Sequence, residues 1–324
     1  MKKIILFLFI TCSLFGAKAQ NKVDNLFFEA RGGFMNALDD GKYNGYFTGD
    51  FFNLQMFGHI NDKISYRIRQ RLNKNPFAQD NIFNATDFLY FSWNIDDTWF
   101  LDFGKQEIYI GGFEYDYAPI DNYYWSDFCN QLPKSYGMGI TLGYKHDENN
   151  KAMLQIANSP FYMNPNDKHF SYNLIWFGQA FPWWKTMWSV NFVDVSNNIN
   201  MFYVALGNRF EWNNWYLELD YTNSMNNDDN YGMSICGKLN YNYKDMFNFF
   251  VKGGYDDHSY VNIEDINNIF VFNSTYKYIG CGVEYFPLGN KDLRLHAVYY
   301  HDNRDNENRL TLGATWKLNV INNK

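Results

Sequence analysis

Hydrophobic and polar residues alternate at every second position in sixteen short stretches of this chain. In the last stretch, Leu310, Leu312 and Trp316 alternate with Thr311 and Thr315. Because successive side chains of a strand point to opposite faces, such a stretch forms a ribbon with one apolar and one polar face. We predict strands, to within about two to four residues, at 26–36, 45–58, 63–72, 86–95, 98–106, 137–147, 151–158, 172–180, 185–193, 199–210, 214–222, 231–243, 246–255, 274–285, 292–301 and 308–318.

The connections between these strands alternate in length. Tight turns such as Asn61-Asp62 and Lys244-Asp245 alternate with longer links, of which residues 107–136 form the longest. Short turns on one side and long loops on the other are typical of a transmembrane barrel whose termini both lie on the short-turn side. No stretch after residue 20 is apolar enough for a membrane-spanning helix. The sequence therefore predicts an all-β fold, a sixteen-stranded antiparallel transmembrane β-barrel.

The first nineteen residues have the anatomy of a secretory signal. Lys2 and Lys3 precede an apolar core at 4–15, and Ala17-Lys18-Ala19 matches a cleavage site, so we expect the mature chain to begin near Gln20. Lipidation at Cys12 is a less favoured alternative, because this cysteine lies inside the apolar core. Residues 1–19 are thus predicted as a signal peptide and residues 20–324 as one barrel domain in the outer membrane.

Composition supports this interpretation. Aromatic residues make up 21% of the chain while the mean hydropathy is −0.46, a combination typical of barrels with aromatic girdles and polar interiors. Seven tryptophans fall near predicted short turns or the inner end of the last strand: Trp93, Trp99, Trp183, Trp184, Trp212, Trp215 and Trp316. With 35 acidic against 28 basic residues, the chain is unlike a nucleic-acid-binding protein.

Three arginines share one face of the third predicted strand. Arg67, Arg69 and Arg71 alternate with apolar residues such as Ile68, and an arginine facing lipid near the bilayer midplane would cost about 2–4 kcal/mol. We therefore predict a pore-lining ladder with rungs about 7 Å apart. The alternatives are pairing with inward acids and, because Ile64, Ile68 and Leu72 are four residues apart, a helix. Candidate acidic partners are Glu29, Asp50 and Asp102.

Further inward basic residues are expected where the barrel closes. They lie on the first, fifteenth and sixteenth predicted strands, and they are Arg31, Arg294, Arg309 and Lys317.

The long connection at 107–136 is the candidate constriction loop. It carries Lys134 as its single basic residue, and its candidate site acids are Glu114, Asp116, Asp121 and Asp127. A loop of this length in a compact fold is usually functional, and its aromatic residues favour packing inside the barrel. Acids on the loop would then face arginines on the wall and create a transverse field. The alternative is an ordinary outer lid.

Several segments carry a family resemblance: Phe28 to Arg31, Ile64 to Asn73, Ala85 to Tyr90, Gly104 to Gln106, Gly111 to Asp116, Ala118 to Asp121 and Leu312 to Lys317. In them the chain resembles the phosphate-selective porin O/P family of outer-membrane porins. The resemblance implies a sixteen-stranded trimeric channel with an inward-folded third loop and an arginine ladder, which Arg67, Arg69 and Arg71 match in kind. Phosphate-specific members also carry a lysine cluster at the constriction, whereas this loop has Lys134 alone.

The leading hypothesis is a passive channel, with anion and possible phosphate preference, for small hydrophilic solutes. We find no catalytic or metal-binding motif, so no enzyme activity, cofactor or metal is expected. The expected partners are the outer-membrane lipid bilayer, small anionic or hydrophilic solutes and two further copies in a homotrimer, and no nucleic acid. The alternatives are a barrel enzyme that hydrolyses lipid and a soluble exported β-protein that binds glycans.

Overall fold

The computed structural model describes residues 22–39, 42–74, 82–132, 134–161, 168–196, 199–226, 229–257, 275–304 and 306–323. The predicted signal peptide lies outside these residues. Within them, antiparallel strands form one closed barrel in which each strand pairs with its neighbours in sequence, and this confirms the predicted fold class. The strands are β1 Lys22–Asp39, β2 Lys42–Asn61, β3 Ile64–Arg71, β4 Thr86–Asn94, β5 Trp99–Glu107, β6 Tyr136–Lys145, β7 Lys151–Asn158, β8 Phe170–Phe181, β9 Trp184–Ser196, β10 Ile199–Trp212, β11 Trp215–Asn226, β12 Asp229–Tyr243, β13 Phe247–Asp257, β14 Thr275–Tyr285, β15 Leu293–Asp302 and β16 Asn308–Asn322.

Helical structure is brief in the described residues. It consists of the α-helices α1 Phe113–Asp116 and α2 Asp127–Gln131 and of 3₁₀ turns at Ile82–Ala85 and Pro119–Asp121. In the part of the chain that the structure describes, we find no helix with the length and apolarity needed to cross a membrane.

The alternating pattern separates the two faces of the wall as predicted. On β16, Leu312 and Trp316 are 46% and 47% exposed on the outer face, whereas Thr315 between the apolar positions is 8% exposed. Residues paired across antiparallel strands share a face, so this assignment extends around the barrel. The segment that could also have been a helix is the strand β3, which pairs with β2 and β4.

The barrel closes between its first and last strands. Ala30 lies opposite Trp316, and Asn25 lies opposite Asn322. Because the start of β1 pairs with this segment, β16 continues to Asn322 beyond the predicted end at 318. Most tryptophans near the short turns have exposed rings, as in Trp93, Trp183 and Trp212, and they surround the rim that we call the short-turn rim. The opposite rim is the long-loop rim.

Candidate functional site

The connection between β5 and β6, residues 108–135, folds into the barrel as predicted, and we call it the third loop. Ile108, Ile110 and Phe128 of the loop pack against Val193 and Tyr203 on β9 and β10. These loop residues are apolar, so burial against the inner wall removes them from water and holds the loop in place.

A second contact lies farther along the loop. The ring of Tyr124 stacks on Tyr300 of β15 with centroids 4.8 Å apart, and its edge meets Tyr278 of β14. The third loop therefore reaches from β9 and β10 across to β14 and β15.

Ionic contacts reinforce this packing at Glu114. Its Oε1 lies 2.6 Å from Lys252 Nζ on β13, and both side chains are almost fully buried. The Ser126 backbone N–H and hydroxyl also donate to the Glu114 carboxylate. Burial alone would raise the pKa of Glu114, but the attraction and hydrogen bonds of Lys252 and Ser126 outweigh it and lower the pKa.

Two other acids of the loop also pair with basic side chains of the barrel, one on β15 and one just after the end of β15. Asp121 Oδ1 lies 3.0 Å from Arg294 Nη1, and Asp127 pairs with Arg304. Arg31 donates from Nη1 to the backbone oxygens of Ile120 (3.0 Å) and Asn122 (2.6 Å). The predicted basic residues Arg31 and Arg294 thus face the interior, where they anchor the third loop.

Asp116 is exposed, as Asp121 is, but among the described residues it is not within ion-pair distance of a basic side chain. Partial burial between the loop and the wall raises its pKa, while the positive charges of Lys151, Arg209 and Arg67 oppose that rise. Asp116 is therefore the candidate site acid of the loop best placed to meet a solute.

The three arginines of β3 share the inner face. Gln55, which is buried, pairs with Arg69, and Phe57 pairs with Arg67. Arg69 and Arg71 both hydrogen-bond through Nε to the carboxylate of Asp87, at 3.0 Å and 2.7 Å. The acid that pairs with this ladder is thus Asp87 of β4, which differs from the candidate partners considered from the sequence.

The arginines are not equally accessible. Arg69 is 3% exposed and also donates to the Tyr136 hydroxyl, whereas Arg71 is 20% exposed. The Arg67 guanidinium lies 3.9 Å from the ring centroid of Phe88, a cation–π contact. Of the remaining predicted basic residues, Arg309 pairs with Glu307, and Lys317 Nζ lies 3.9 Å from the Phe27 ring centroid.

Three cavities lie along the interior and the long-loop rim. The outer cavity, about 390 Å³, shares Arg71, Ser135 and Tyr136 with a middle cavity of about 230 Å³. Tyr117 of the third loop lines both the middle cavity and an inner cavity of about 490 Å³. The inner cavity reaches the short-turn rim at Lys291, so the cavities follow one another from rim to rim, and Tyr117 lies between the middle and inner cavities.

The outer cavity gathers four cationic side chains from three parts of the chain. They are Arg71, Lys74, Lys105 and Lys134, and Asp87 is the acid among the described lining residues. Sequence reasoning proposed Arg71 and Lys134 but missed Lys74 and Lys105. These lysines lie after β3 and within β5, so only the pairing of the strands brings them together.

Comparisons with known proteins agree with this architecture. Residues 51–180 match the family model of phosphate-selective porin O and P, which confirms the resemblance seen in the sequence. The curated proteins contain no match to this chain.

Solved structures of porins are similar over almost the whole chain. The anion-selective porin from Comamonas acidovorans is 9% identical with a TM-score of 0.66, and the alignment covers 92% of this chain and 100% of that porin. The outer membrane channel DcaP of Acinetobacter baumannii is 13% identical with a TM-score of 0.64 over 94% of this chain and 99% of that one. The trimer form of Vibrio cholerae OmpT is 12% identical with a TM-score of 0.61, and the alignment covers 92% of this chain and 99% of that protein. At these identities the likeness is one of fold, and together with the family match it supports a porin channel of the outer membrane.

Proposed function

We propose that this protein is a passive outer-membrane channel for small hydrophilic solutes and that it prefers anions. In this proposal the long-loop rim faces outward, the short-turn rim faces the periplasm, and three copies form a trimer. Solutes pass from the outer cavity through the middle cavity and past Tyr117, and no bond is made or broken. The family match makes phosphate the first anion to test.

The charge of the outer cavity is the observation that carries the anion preference. Among the described lining residues, Arg71, Lys74, Lys105 and Lys134 contribute four positive charges and Asp87 one negative charge, which leaves +3, with Lys105 adding its charge from the outer side of the wall. At an effective dielectric constant near 20, one charge about 7 Å away changes the energy of an ion by about 2 kcal/mol before salt screening. A solute entering from the long-loop rim therefore meets a positive potential.

The acids of the third loop weaken this positive potential only partly, because most of them are already paired with basic side chains. Glu114, Asp121 and Asp127 are each within ion-pair distance of a basic side chain outside the loop. Glu107 lines the middle cavity opposite Arg71, and Asp116 is exposed. We expect only a weak transverse field between Asp116 and the arginines of β3, and the balance of charge at the mouth favours anions.

The test is the reversal potential of a planar bilayer that separates two KCl concentrations. We expect the wild type to prefer chloride and Arg71→Gln/Lys134→Gln to lose most of that preference. The matched control is Lys63→Gln/Lys145→Gln, which removes two exposed charges at the short-turn rim and should retain the preference. A strong cation preference in the wild type, or an anion preference that is unchanged in Arg71→Gln/Lys134→Gln, would contradict the proposal.

A further inference from the structure

We propose that the outer cavity also binds the phosphate group of an outer-leaflet lipid, with Lys74 and Lys105 as the binding cations. The site goes beyond solute passage, because its ligand would approach from the membrane.

The pairing of the strands sets the direction of Lys105. It pairs with Leu89 of β4 and Met138 of β6, whose side chains are 39% and 42% exposed on the outer face. Because residues paired in this way share a face, the Lys105 side chain leaves the wall on its outer side. Arg71, by contrast, pairs with the buried Asn53 on the inner face.

Lys105 also lies at the height where headgroups are expected. Phe91 pairs with Phe103 on the outer face, and their side chains are 41% and 48% exposed. Lys105 follows Phe103 by two residues toward the long-loop rim, a rise of about 7 Å along a strand. A lysine facing hydrocarbon is costly, whereas one just beyond the apolar band can meet charged headgroups.

Among the described residues that line the cavity, Asp87 is the acid beside Lys74 and Lys105. Asp87 accepts hydrogen bonds from both Arg69 and Arg71, so its charge is already shared. Lys105 Nζ donates to the neutral backbone oxygen of Phe83. Burial and repulsion from Arg71 lower the pKa of Lys74, which indicates that an added anion would relieve the crowding of charge.

A phosphate monoester has the chemistry that this arrangement lacks. It carries a charge of about −1.5 to −2 and three strong acceptor oxygens, so it can neutralise Lys74 and Lys105 together. Its acyl chains would then lie along the exposed apolar face formed by Leu89, Phe91 and Phe103. Inorganic phosphate would gain the ionic contacts but not the apolar ones.

Native mass spectrometry of the folded full-length protein in a nonionic detergent tests this inference. Phosphatidic acid is the probe, because its headgroup is a phosphate monoester, and phosphatidylcholine is the comparison lipid. We expect saturable binding of phosphatidic acid that weakens by about 30-fold in Lys74→Gln/Lys105→Gln, the loss expected for two lysines near a membrane surface.

Lys63→Gln/Lys145→Gln is the matched control for charge, since it removes two lysines at the opposite rim, and it should bind like the wild type. Heat-modifiable gel migration verifies that each variant has folded. Absence of phosphatidic acid from the wild type, equal losses in both variants, or equal affinity for inorganic phosphate would each overturn the proposal. Because lipid binding is measured without conduction, its failure is distinguishable from a failure of the channel proposal.

Discussion

Lys252 Nζ on β13 lies 2.6 Å from Glu114 Oε1, and this buried pair joins the third loop to the opposite inner wall. Lys252 also donates to the backbone oxygen of Tyr124 and to Asn122 Oδ1. One lysine thus holds three positions of the loop, and the path left beside the loop depends on it.

Lys252→Met should destabilise the folded barrel. The substitution leaves the Glu114 carboxylate buried without its cation, which typically costs about 3–5 kcal/mol. Urea unfolding of the detergent-solubilised barrel measures this loss. Lys252→Met/Glu114→Gln removes both charges and should lose less than the single variant; an unchanged unfolding midpoint in Lys252→Met would contradict the role of the pair.

Acid should loosen the third loop through the same pair. The pKa of Glu114 is lowered from 4.5 in the folded protein, so the folded state binds fewer protons than the unfolded state there. The stability that the pair contributes is therefore complete above about pH 4.5 and is lost as the pH falls through the lower folded value. Single-channel recordings should show increased current fluctuation below about pH 4.5.

Glu114→Gln provides the control for this pH dependence. The variant has no carboxylate to titrate at position 114, so its current fluctuation should change less as the pH falls from about 6 through the lowered pKa of Glu114. If acid increases the current fluctuation equally in the wild type and in Glu114→Gln, a titratable group other than Glu114 is responsible.

Asp87→Asn should increase the preference for anions. Asp87 is the described acid of the outer cavity, and asparagine keeps an oxygen that can accept from Arg69 and Arg71. Removal of one negative charge should raise the chloride-to-potassium permeability ratio about two- to fivefold after screening by salt. Asp97→Asn, at an exposed position of a short turn, is the control and should leave the ratio unchanged, and a lower ratio in Asp87→Asn would count against the electrostatic account.

Gly33→Ala should weaken the closure of the barrel. A Cβ at Gly33 would lie 2.5 Å from the Leu312 backbone oxygen and 2.9 Å from Gly313 Cα, whereas a Cβ at Gly49 meets nothing within 4 Å. Relief of this clash requires β1 and β16 to move apart, at a cost of about 1–3 kcal/mol. The temperature at which the compact gel form is lost should fall for Gly33→Ala and stay unchanged for Gly49→Ala.

The sequence predicted the strands well because alternation with a period of two is a local signal. Leu312 and Trp316 face outward regardless of which strand lies beside them, and the three arginines of β3 could not face lipid. The aromatic character of the third loop likewise predicted that it packs inside the barrel. The end of β16 was less predictable, because it depends on pairing with the distant β1.

The partners of the charged residues could not be predicted in the same way. Asp87 meets Arg69 and Arg71 through the register between β3 and β4, which contains a bulge. Lys252 and Arg304 were not candidate residues, yet both hold acids of the third loop. The spacing of residues along a strand predicts which face of the barrel wall a side chain occupies. Its ion-pair partner depends instead on the register between neighbouring strands and on the path of the third loop.

The seam between β1 and β16 has a consequence for biogenesis. Its last contact, from Asn323 Nδ2 to the Val23 oxygen, joins residues that are 300 positions apart. During assembly, the edge of β1 that pairs with β16 therefore has no hydrogen-bonding partner until almost the whole chain has reached the membrane. Such an edge invites aggregation, so we expect shielding by an assembly factor to govern the yield of this protein more than the speed of any single hairpin.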